Sequence, residues 1–506
     1  MKYALGSGLR RLRLSTMAVL ACLALTACAT DAMKLAPTAP DQPWKPGNQQ
    51  TTGGAVDFSL PADPALSQLH DNVTIDTKRS YGLAELIDIA QRGNPATRIA
   101  WEHARQAALA VGMVEATYLP MITANVIGGR QKASTPVDLP IAGERQLNAT
   151  LSGVSPSLAL QWLLFDFGQR QAVAGAAREV SYAANVMFNA SHQKLIFDVA
   201  NAYYLYGAAT SALDIAHHTL RNSREIRSAV EARLANGRAT TVEVAQARQL
   251  VAQSELRLVK AEGQARDAYQ AVLAAMGINA TVKIKINGAT KRNLPAKVDA
   301  TTDNMIKAAL SRRPDVIASY AALKASQSGI AAAEAEFMPK VFVAGGVTKS
   351  STGFNASGLP TIGNQATGMG FLVGATMPIY DSGLRAAQLK NAQAQASASE
   401  QVFRKTQLAA VTEIVVASNA LRTALESHKA ATALLKAAAI TYDAAIDAYK
   451  NGVGTLTVVT EANSGLLDAR LAQADAHAAS LITAANLAFM TGSLTSTNSL
   501  PFLPVQ

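Results

Sequence analysis

The chain writes one unit twice, and this constrains its fold more than any single motif. Asn94-Pro95 is answered by Arg313-Pro314, and Tyr118-Leu119-Pro120 by Phe337-Met338-Pro339, both 219 residues further on. Phe165-Asp166-Phe167-Gly168-Gln169-Arg170 is answered by Tyr380-Asp381-Ser382-Gly383-Leu384-Arg385 at an offset of 215, as are Asn236-Gly237 by Asn451-Gly452 and Gly277 by Gly492. Landmarks kept in order at nearly constant spacing mark a duplication. The small drift falls between the paired prolines and the paired aspartates, where a loop absorbs it.

Each unit reads as helix, two strands, long helix, helix. Leu83–Tyr118 is rich in Ala, Glu, Arg and Gln, and Pro120 stops it. Met121–Gln131 and Leu151–Phe165 read as strands, with a polar loop, Lys132–Thr150, between them. The second of these strands sets Leu158, Leu160, Trp162 and Leu164 on one face and Ser155, Ser157, Ala159 and Gln161 on the other. This period of two, apolar out and small or polar in, is that of a membrane-barrel strand; a half-buried soluble strand alternates in the same way. The second unit offers Val341–Lys349 and Gly368–Tyr380, with a Gly/Ser/Thr/Asn-rich loop between them. Four strands are too few to close a barrel, since the smallest single-chain barrels have about eight. The chain must share its barrel with copies of itself.

Helix lengths give the other dimension. Asp166 to Asn236 contains no proline, and about 70 helical residues span roughly 105 Å. Leu83–Tyr118 and Thr241–Met276, laid end to end, nearly match that length, and the second unit repeats the pattern. Val244, Ala247, Val251, Ser254, Leu258, Ala261, Ala265, Ala268, Val272 and Ala275 follow 3,4 spacing, a narrow apolar seam. Its counterparts in the second unit run from Val459 and Ala462 to Leu487 and Met490. Narrow seams suit a hollow wall; a solid helical bundle, with a wider stripe, is the alternative. The expected fold is mainly α with a small β part: a long antiparallel coiled-coil barrel plus four transmembrane strands per chain.

The N-terminus bears on the compartment. Lys2, Arg10, Arg11 and Arg13 precede the apolar run Met17–Leu25, which is shorter than the ~20 residues a spanning helix needs and has the build of a secretory signal. Leu25-Thr26-Ala27-Cys28 resembles the bacterial lipobox, which implies cleavage after residue 27 and lipidation, palmitate included, of Cys28. Ala29 rather than Asp then favours sorting to the outer membrane. Ordinary cleavage nearby, leaving Cys28 idle, is the alternative. Cys22 leaves with the signal, so no disulfide forms within the mature chain. After Cys28 no apolar run is expected to reach the length of a spanning helix. The formal charge of +10 includes the four basic residues of the signal, and neither a basic tract nor aromatic interleaving suggests nucleic acid. The expected divisions are a signal (1–27), a Pro- and Gly-rich lipid-anchored tether (28–79), the first repeat (80–277), a linker (278–301), the second repeat (302–492) and a tail (493–506).

Together the paired helix–Pro–strand junctions, the turns Phe-Asp-Phe-Gly and Tyr-Asp-Ser-Gly, and the duplicated layout resemble the TolC-like outer-membrane efflux proteins, from about Ser80 to Gly492. The resemblance implies a homotrimer whose twelve strands form one barrel in outer-membrane lipid. It also implies a helical tunnel met by a periplasmic adaptor and an inner-membrane pump, here expected to be proton-driven. Asp166, Gly168, Asp381 and Gly383 then sit at strand-to-helix turns, where a carboxylate accepts from free N–H groups at the positive helix end. The adaptor-binding tip falls at Gly237, Thr240, Gly452, Val453, Gly454 and Thr455. Where the pattern has an aspartate ring, this chain has Thr460 and Asn463, with Glu461 beside them. Leu456 holds the place of the gating arginine, and Glu243 keeps the acidic partner. Glu243 or Glu461 is the expected source of aperture charge, unless both are solvated helix-end carboxylates.

No catalytic residue, cofactor or metal site is expected. His217-His218 point to different faces of a helix, His192 and His428 stand apart from ligand clusters, and no Gly-x-Ser-x-Gly, phosphate loop or His-Glu-x-x-His occurs. The leading expectation is a passive exit duct for drugs, toxic organics or metal ions. A type I protein-secretion duct shares the fold. A non-conducting trimeric stalk would need no closed barrel.

Overall fold

The computed structural model describes residues 36–37, 39–40, 58–60, 62–67, 75–139, 143–287, 294, 302–356 and 360–494. Cys28, most of the tether and most of the tail lie outside the described residues. The chain divides into two compact units, residues 1–70 and 71–506. In the first, Pro64–Ser67 makes one 3-10 turn, and the Asp63 carboxylate accepts from the Ala65 N–H at 2.9 Å.

The second unit begins with β1 (Ser80–Tyr81), α1 (Leu83–Gly93) and α2 (Pro95–Ala116), then β2 (Met121–Leu139) and β3 (Gly143–Phe165). It continues through α3 (Gln169–Ala235), α4 (Thr241–Met276) and β4 (Lys285–Ile286). The second repeat supplies α5 (Asp303–Leu310), α6 (Pro314–Ala335), β5 (Lys340–Ala356), β6 (Ile362–Thr376), α7 (Leu384–Lys450) and α8 (Leu456–Met490). The duplication is visible in the lengths. Both long helices have 67 residues, and both helices that lead into the sheet have 22.

The expected first helix of each repeat is broken in two. Asn94 caps α2 by accepting from the Ala96 N–H at 2.8 Å, and Pro95 takes the first helical position, where its missing N–H costs nothing. Arg313-Pro314 breaks the second repeat at the same place. Only α2 and α6 therefore lie in the helical wall. The shorter α1 turns aside and packs on α3 and α4. There Leu86, Ile87, Ile89 and Ala90 join Val199, Tyr203, Val272, Leu273 and Met276 in the largest buried cluster, level with the middle of α3. The parallel pair β1–β4 belongs to this girdle, tied in by Tyr203, whose hydroxyl donates to the Asn287 carbonyl at 2.8 Å.

The long helices change partners along their length. Towards the sheet α3 packs on α2 and α6; towards the far end it packs on α4 and α8. Where one partner gives way to the next, Gly277 ends α4 in the left-handed region (φ 72°). The Asn94 amide of α2 donates there to the Ala275 carbonyl at 3.2 Å. In the second repeat Arg313 makes the equivalent contact with the Met490 carbonyl, also at 3.2 Å. The α4 seam falls as expected: Val244, Ala247, Val251, Ser254, Ala261, Ala265 and Val272 are buried, and Leu258, Ala268 and Ala275 are half-buried.

Two further expectations are corrected. The tract 132–150 is strand, not loop: Lys132 pairs with Thr150 and Ser134 with Asn148, and the hairpin runs on to Leu139↔Gly143. In the second repeat β5 runs on to Ala356, and β6 starts at Ile362 and ends at Thr376 rather than at Tyr380. In both hairpins the ladder runs on beyond the regular apolar alternation, through tracts rich in polar residues. Secondly, α7 does contain an 18-residue window apolar enough to cross a membrane, yet only 33% of that window is buried. It lies inside a helix packed on α6 and α8, and that helix leaves Leu408, Val416, Leu434 and Ile440 exposed on the protomer.

Candidate functional site

Three places carry chemistry: the sheet, the strand-to-helix turns, and the hairpin tips at the far end of the long helices. The sheet has the order β2-β3-β5-β6, antiparallel throughout. Register sorts its side chains into two faces. On one lie the rows Trp162–Val343–Val373, Ile122–Leu160–Gly345–Phe371 and Ala124–Leu158–Val347–Met369. On the other, at the same levels, lie Met121–Gln161–Ala344–Leu372, Thr123–Ala159–Gly346–Gly370 and Asn125–Ser157–Thr348–Gly368. One face is thus apolar and bulky, the other mostly small or polar, with Met121 and Leu372 at its helical end. The apolar side chains are exposed on the protomer: Ile122 is 66% exposed, Met369 84% and Phe371 72%. Trp162 closes the band at its helical end, its indole N–H donating to the Tyr118 carbonyl at 2.8 Å.

At the first strand-to-helix turn, Phe167 and Gly168 take positive φ (51° and 91°), and at the second Ser382 and Gly383 do the same (56° and 87°). This pair of left-handed residues turns the chain sharply and aims the preceding aspartate at the helix start. Asp166 Oδ2 accepts from the Arg170 backbone N–H at 3.0 Å and from Arg170 Nε at 2.7 Å. Arg170 also donates to the carbonyls of Thr117 (2.9 Å) and Leu164 (3.2 Å), and its guanidinium lies 4.7 Å from the Tyr118 ring centroid. Asp381 and Arg385 repeat the arrangement at 3.1 and 2.6 Å, with Arg385 over Phe337. The hydrogen bond from Arg385 holds the Asp381 carboxyl below its ordinary pKa. The two aspartates were legible as caps. Their arginines were missed as partners, although the Asp-to-Arg spacing of four residues recurs in both repeats.

The tips are built on the turns that the glycines mark. Gly237 and Gly452 have φ of 69° and 85°. Asn236 and Asn451 cap their helices, each amide donating to the carbonyl four residues back at 2.9 Å. Gly454 has no room for a side chain, since a Cβ there would stand 2.9 Å from the Tyr449 backbone nitrogen. Val453 is 85% exposed. Thr240 and Glu243 form a reciprocal capping box: Thr240 N donates to Glu243 Oε2 at 2.7 Å, and Glu243 N to Thr240 Oγ1 at 3.2 Å. The Glu243 carboxylate is thereby committed to the start of α4. Thr455 caps α8 through the Val458 N–H but has no acidic partner, because Val458 stands where Glu243 does.

Of the aperture candidates, Leu456 and Asn463 are each 2% exposed and turn into the protomer's own helix packing. Leu456 belongs to the cluster formed with Val230, Val244, Tyr449 and Val459. That burial corrects their reading as lining residues, since a pore-lining side chain stays exposed on a single protomer. Glu461 is exposed and Thr460 half-buried. A residue that sequence reasoning passed over binds the two tips together. Arg233 of α3 donates to the Tyr449 carbonyl at the end of α7 and to the Arg238 carbonyl at 3.3 Å. His217 and His218 lie exposed on α3.

A family model described as outer membrane efflux protein matches residues 86–278 and 305–493, one match in each repeat. Outer membrane protein OprJ of Pseudomonas aeruginosa is 27% identical over 453 residues, covering 87% of this chain and 88% of that protein. The probable outer membrane lipoprotein SilC of Salmonella typhimurium is 28% identical over 254 residues (49% and 53%). The cation efflux system protein CusC of Escherichia coli K12 is 27% identical over 328 residues (64% and 69%). A crystal structure of CusC superposes with a TM-score of 0.69 at 22% identity, covering 86% of this chain and 98% of that one, which speaks for a shared fold.

Proposed function

The chain belongs to the outer membrane efflux protein family, a family of channels and not of enzymes, and on that premise we propose that it is the passive exit duct through which small molecules leave the cell. The observation that carries this reading is the open sheet. Among the described residues β2 pairs only with β3 and β6 only with β5, so both edges of a bilayer-facing sheet are unpaired. Unsatisfied strand edges are not tolerated in hydrocarbon. Joining β6 of one copy to β2 of the next makes a head-to-tail contact that closes as a ring. Three copies supply twelve strands, and an even number keeps every pairing antiparallel.

The exposed apolar residues of the helices support the same closure. Ile99, Leu109 and Met113 on α2, with Leu256 and Val259 on α4, face away from the protomer's core, as do Leu408, Val416, Leu434 and Ile440 on α7. Packing α7 of one copy on α2 and α4 of its neighbour covers both sets. The spanning-helix character of α7 then comes from a helix-to-helix seam.

The chain has no nucleotide-binding motif, so the energy comes from an inner-membrane pump, proton-driven in this reading, reached through a periplasmic adaptor at the exposed tip around Gly237 and Val453. Small cargo is favoured because a relative, CusC, is named for cation efflux. The lipobox at Cys28 and the relative named as a probable outer membrane lipoprotein support a lipid anchor. The deciding test compares a deletion strain with its parent for drug and metal susceptibility and for secreted proteins. At least fourfold sensitisation with an unchanged secretome is the expected result. Loss of a secreted protein with unchanged susceptibility would overturn the small-molecule reading in favour of protein export.

A further inference from the structure

Polarity changes sides partway along the sheet. Over the rows from Trp162 to Leu158 the bulky apolar residues share one face. Beyond them that face carries Val126 and Val154, with Lys349 paired to Thr367, and then turns polar, Arg130 pairing with Ser152 and Lys132 with Thr150. On the opposite face, mostly small or polar up to this level apart from Met121, Leu372 and Ile127, Leu151 pairs with Phe354 and Phe354 with Ile362. These three neighbours are 45%, 42% and 60% exposed, so the protomer itself does not bury them. Their row lies seven residues beyond Leu158 along β3, roughly 23 Å along the strand, past the band that contacts lipid.

The rows on either side of this one are low. The row nearer the helices is Gly129–Gly153–Thr352–Asn364, and on the other side Ala149 faces Ala356. Large side chains between rows of smaller ones stand out from the wall. A barrel wall beyond the bilayer meets water on both faces, so chance placement would put apolar residues on either. Their alignment across three adjacent strands, all on the face away from lipid, needs another cause.

We propose that Leu151, Phe354 and Ile362 form an apolar collar inside the duct at its outer mouth, a constriction that cargo passes last. This rests on the reading of the chain as a ring-forming duct. With three copies the ring at this level is apolar except for Gln131, the partner of Leu151 on β2. An apolar narrowing resists wetting and so retards hydrated ions, while amphipathic solutes lose less on entering it. The collar therefore selects for amphipathic cargo at the exit.

The test uses the full-length protein in cells. Its only cysteines are Cys22 in the signal and Cys28, so an introduced thiol is chemically distinct. Phe354→Cys and its neighbour Asn355→Cys, on opposite faces of β5, are treated from outside with a small, impermeant, cationic thiol reagent. Export of an amphipathic cationic dye is then measured, with outer-membrane level and oligomer band as controls for folding. Labelled F354C is expected to lose at least threefold in export rate, and equally labelled N355C to keep its rate. Labelled F354C exporting at the unlabelled rate would overturn the collar, as would an equal loss in N355C. Deleting the chain separates the two readings: dye export that survives deletion sinks the duct, whereas loss on deletion without block at F354C sinks the collar alone.

Discussion

The guanidinium of Arg233, near the end of α3, lies 4.5 Å from the ring centroid of Tyr449 at the end of α7, and its NH1 donates to the Tyr449 carbonyl. One side chain of the first repeat thus holds the terminus of the second, where a cation also meets the negative end of the helix. Tyr449 is fully buried, and its hydroxyl has no hydrogen-bond partner among the described residues. Burial, with Glu243 adding to it, raises its pKa. Arg233→Ala removes a charge-assisted hydrogen bond and a ring contact, about 1–2 kcal/mol together. The tips should then part more readily, giving at least a twofold rise in planar-bilayer conductance. Tyr449→Phe keeps the ring and removes an unsatisfied polar atom, so its stability should equal or exceed the parent's. Loosening by Y449F to the same degree as R233A would disprove this division of roles.

At the strand-to-helix turns the two repeats should respond unequally. The Asp166 side chain is 7% exposed and Arg170 12%, so Asp166→Ala leaves a nearly buried guanidinium without its carboxylate. Breaking such a pair costs roughly 3 kcal/mol. Asp381 is 23% exposed against the same 12% for Arg385, and water replaces part of what Asp381→Ala removes. Thermal unfolding of purified oligomers should show a larger drop in Tm for D166A than for D381A. Equal drops would mean that exposure does not set the cost.

The parts of the molecule that were legible are those whose signals are local. Asn236-Gly237 and Asn451-Gly452 end their helices where the sequence says, because a helix terminus depends on the few residues around it. The α4 seam was readable for the same reason. Lys132–Thr150 was misread because strand pairing in a polar tract depends on the partner strand, and no apolar alternation announces it. The break at Asn94-Pro95 was in plain view, yet it served as a repeat marker and not as a helix boundary. Leu456 and Asn463 were assigned by resemblance, whereas the 3,4 phase of Val459, Ala462 and Leu466, all buried, already places Leu456 and Asn463 on the packed side. Arg233 could not be read at all, since its partner lies 216 residues away.

The proposed acylation of Cys28 has a direct chemical readout. Cys28→Ser should abolish incorporation of labelled palmitate while the protein still reaches the outer membrane. The strands then anchor it alone, so drug or metal export should stay within about twofold of the parent, a single acyl chain adding only marginal membrane affinity. Palmitate incorporation that persists in C28S would remove the lipobox reading.

His428 on α7 and His477 on α8 meet edge to face with ring centroids 5.4 Å apart, on the tip side of the girdle, where His477 shares a cleft with Tyr204, Ile286 and Leu481. Burial, and then the neighbouring imidazole, lower the His428 pKa, opposed by a hydrogen bond with the Gln473 backbone. The sign of the effect follows from linkage. An unfolded histidine titrates near ~6.5, and the folded one takes up its proton only at lower pH. Between those two values the unfolded chain binds more protons, so acid favours unfolding. The stabilising contribution is complete above about pH 6.5 and declines as pH falls towards the folded pKa. The oligomer should therefore melt lower at pH 5.5 than at pH 7.5, and His428→Gln should remove part of that difference while changing Tm little at pH 7.5. Identical pH slopes for the parent and H428Q would show that this pair does not couple helix packing to protonation.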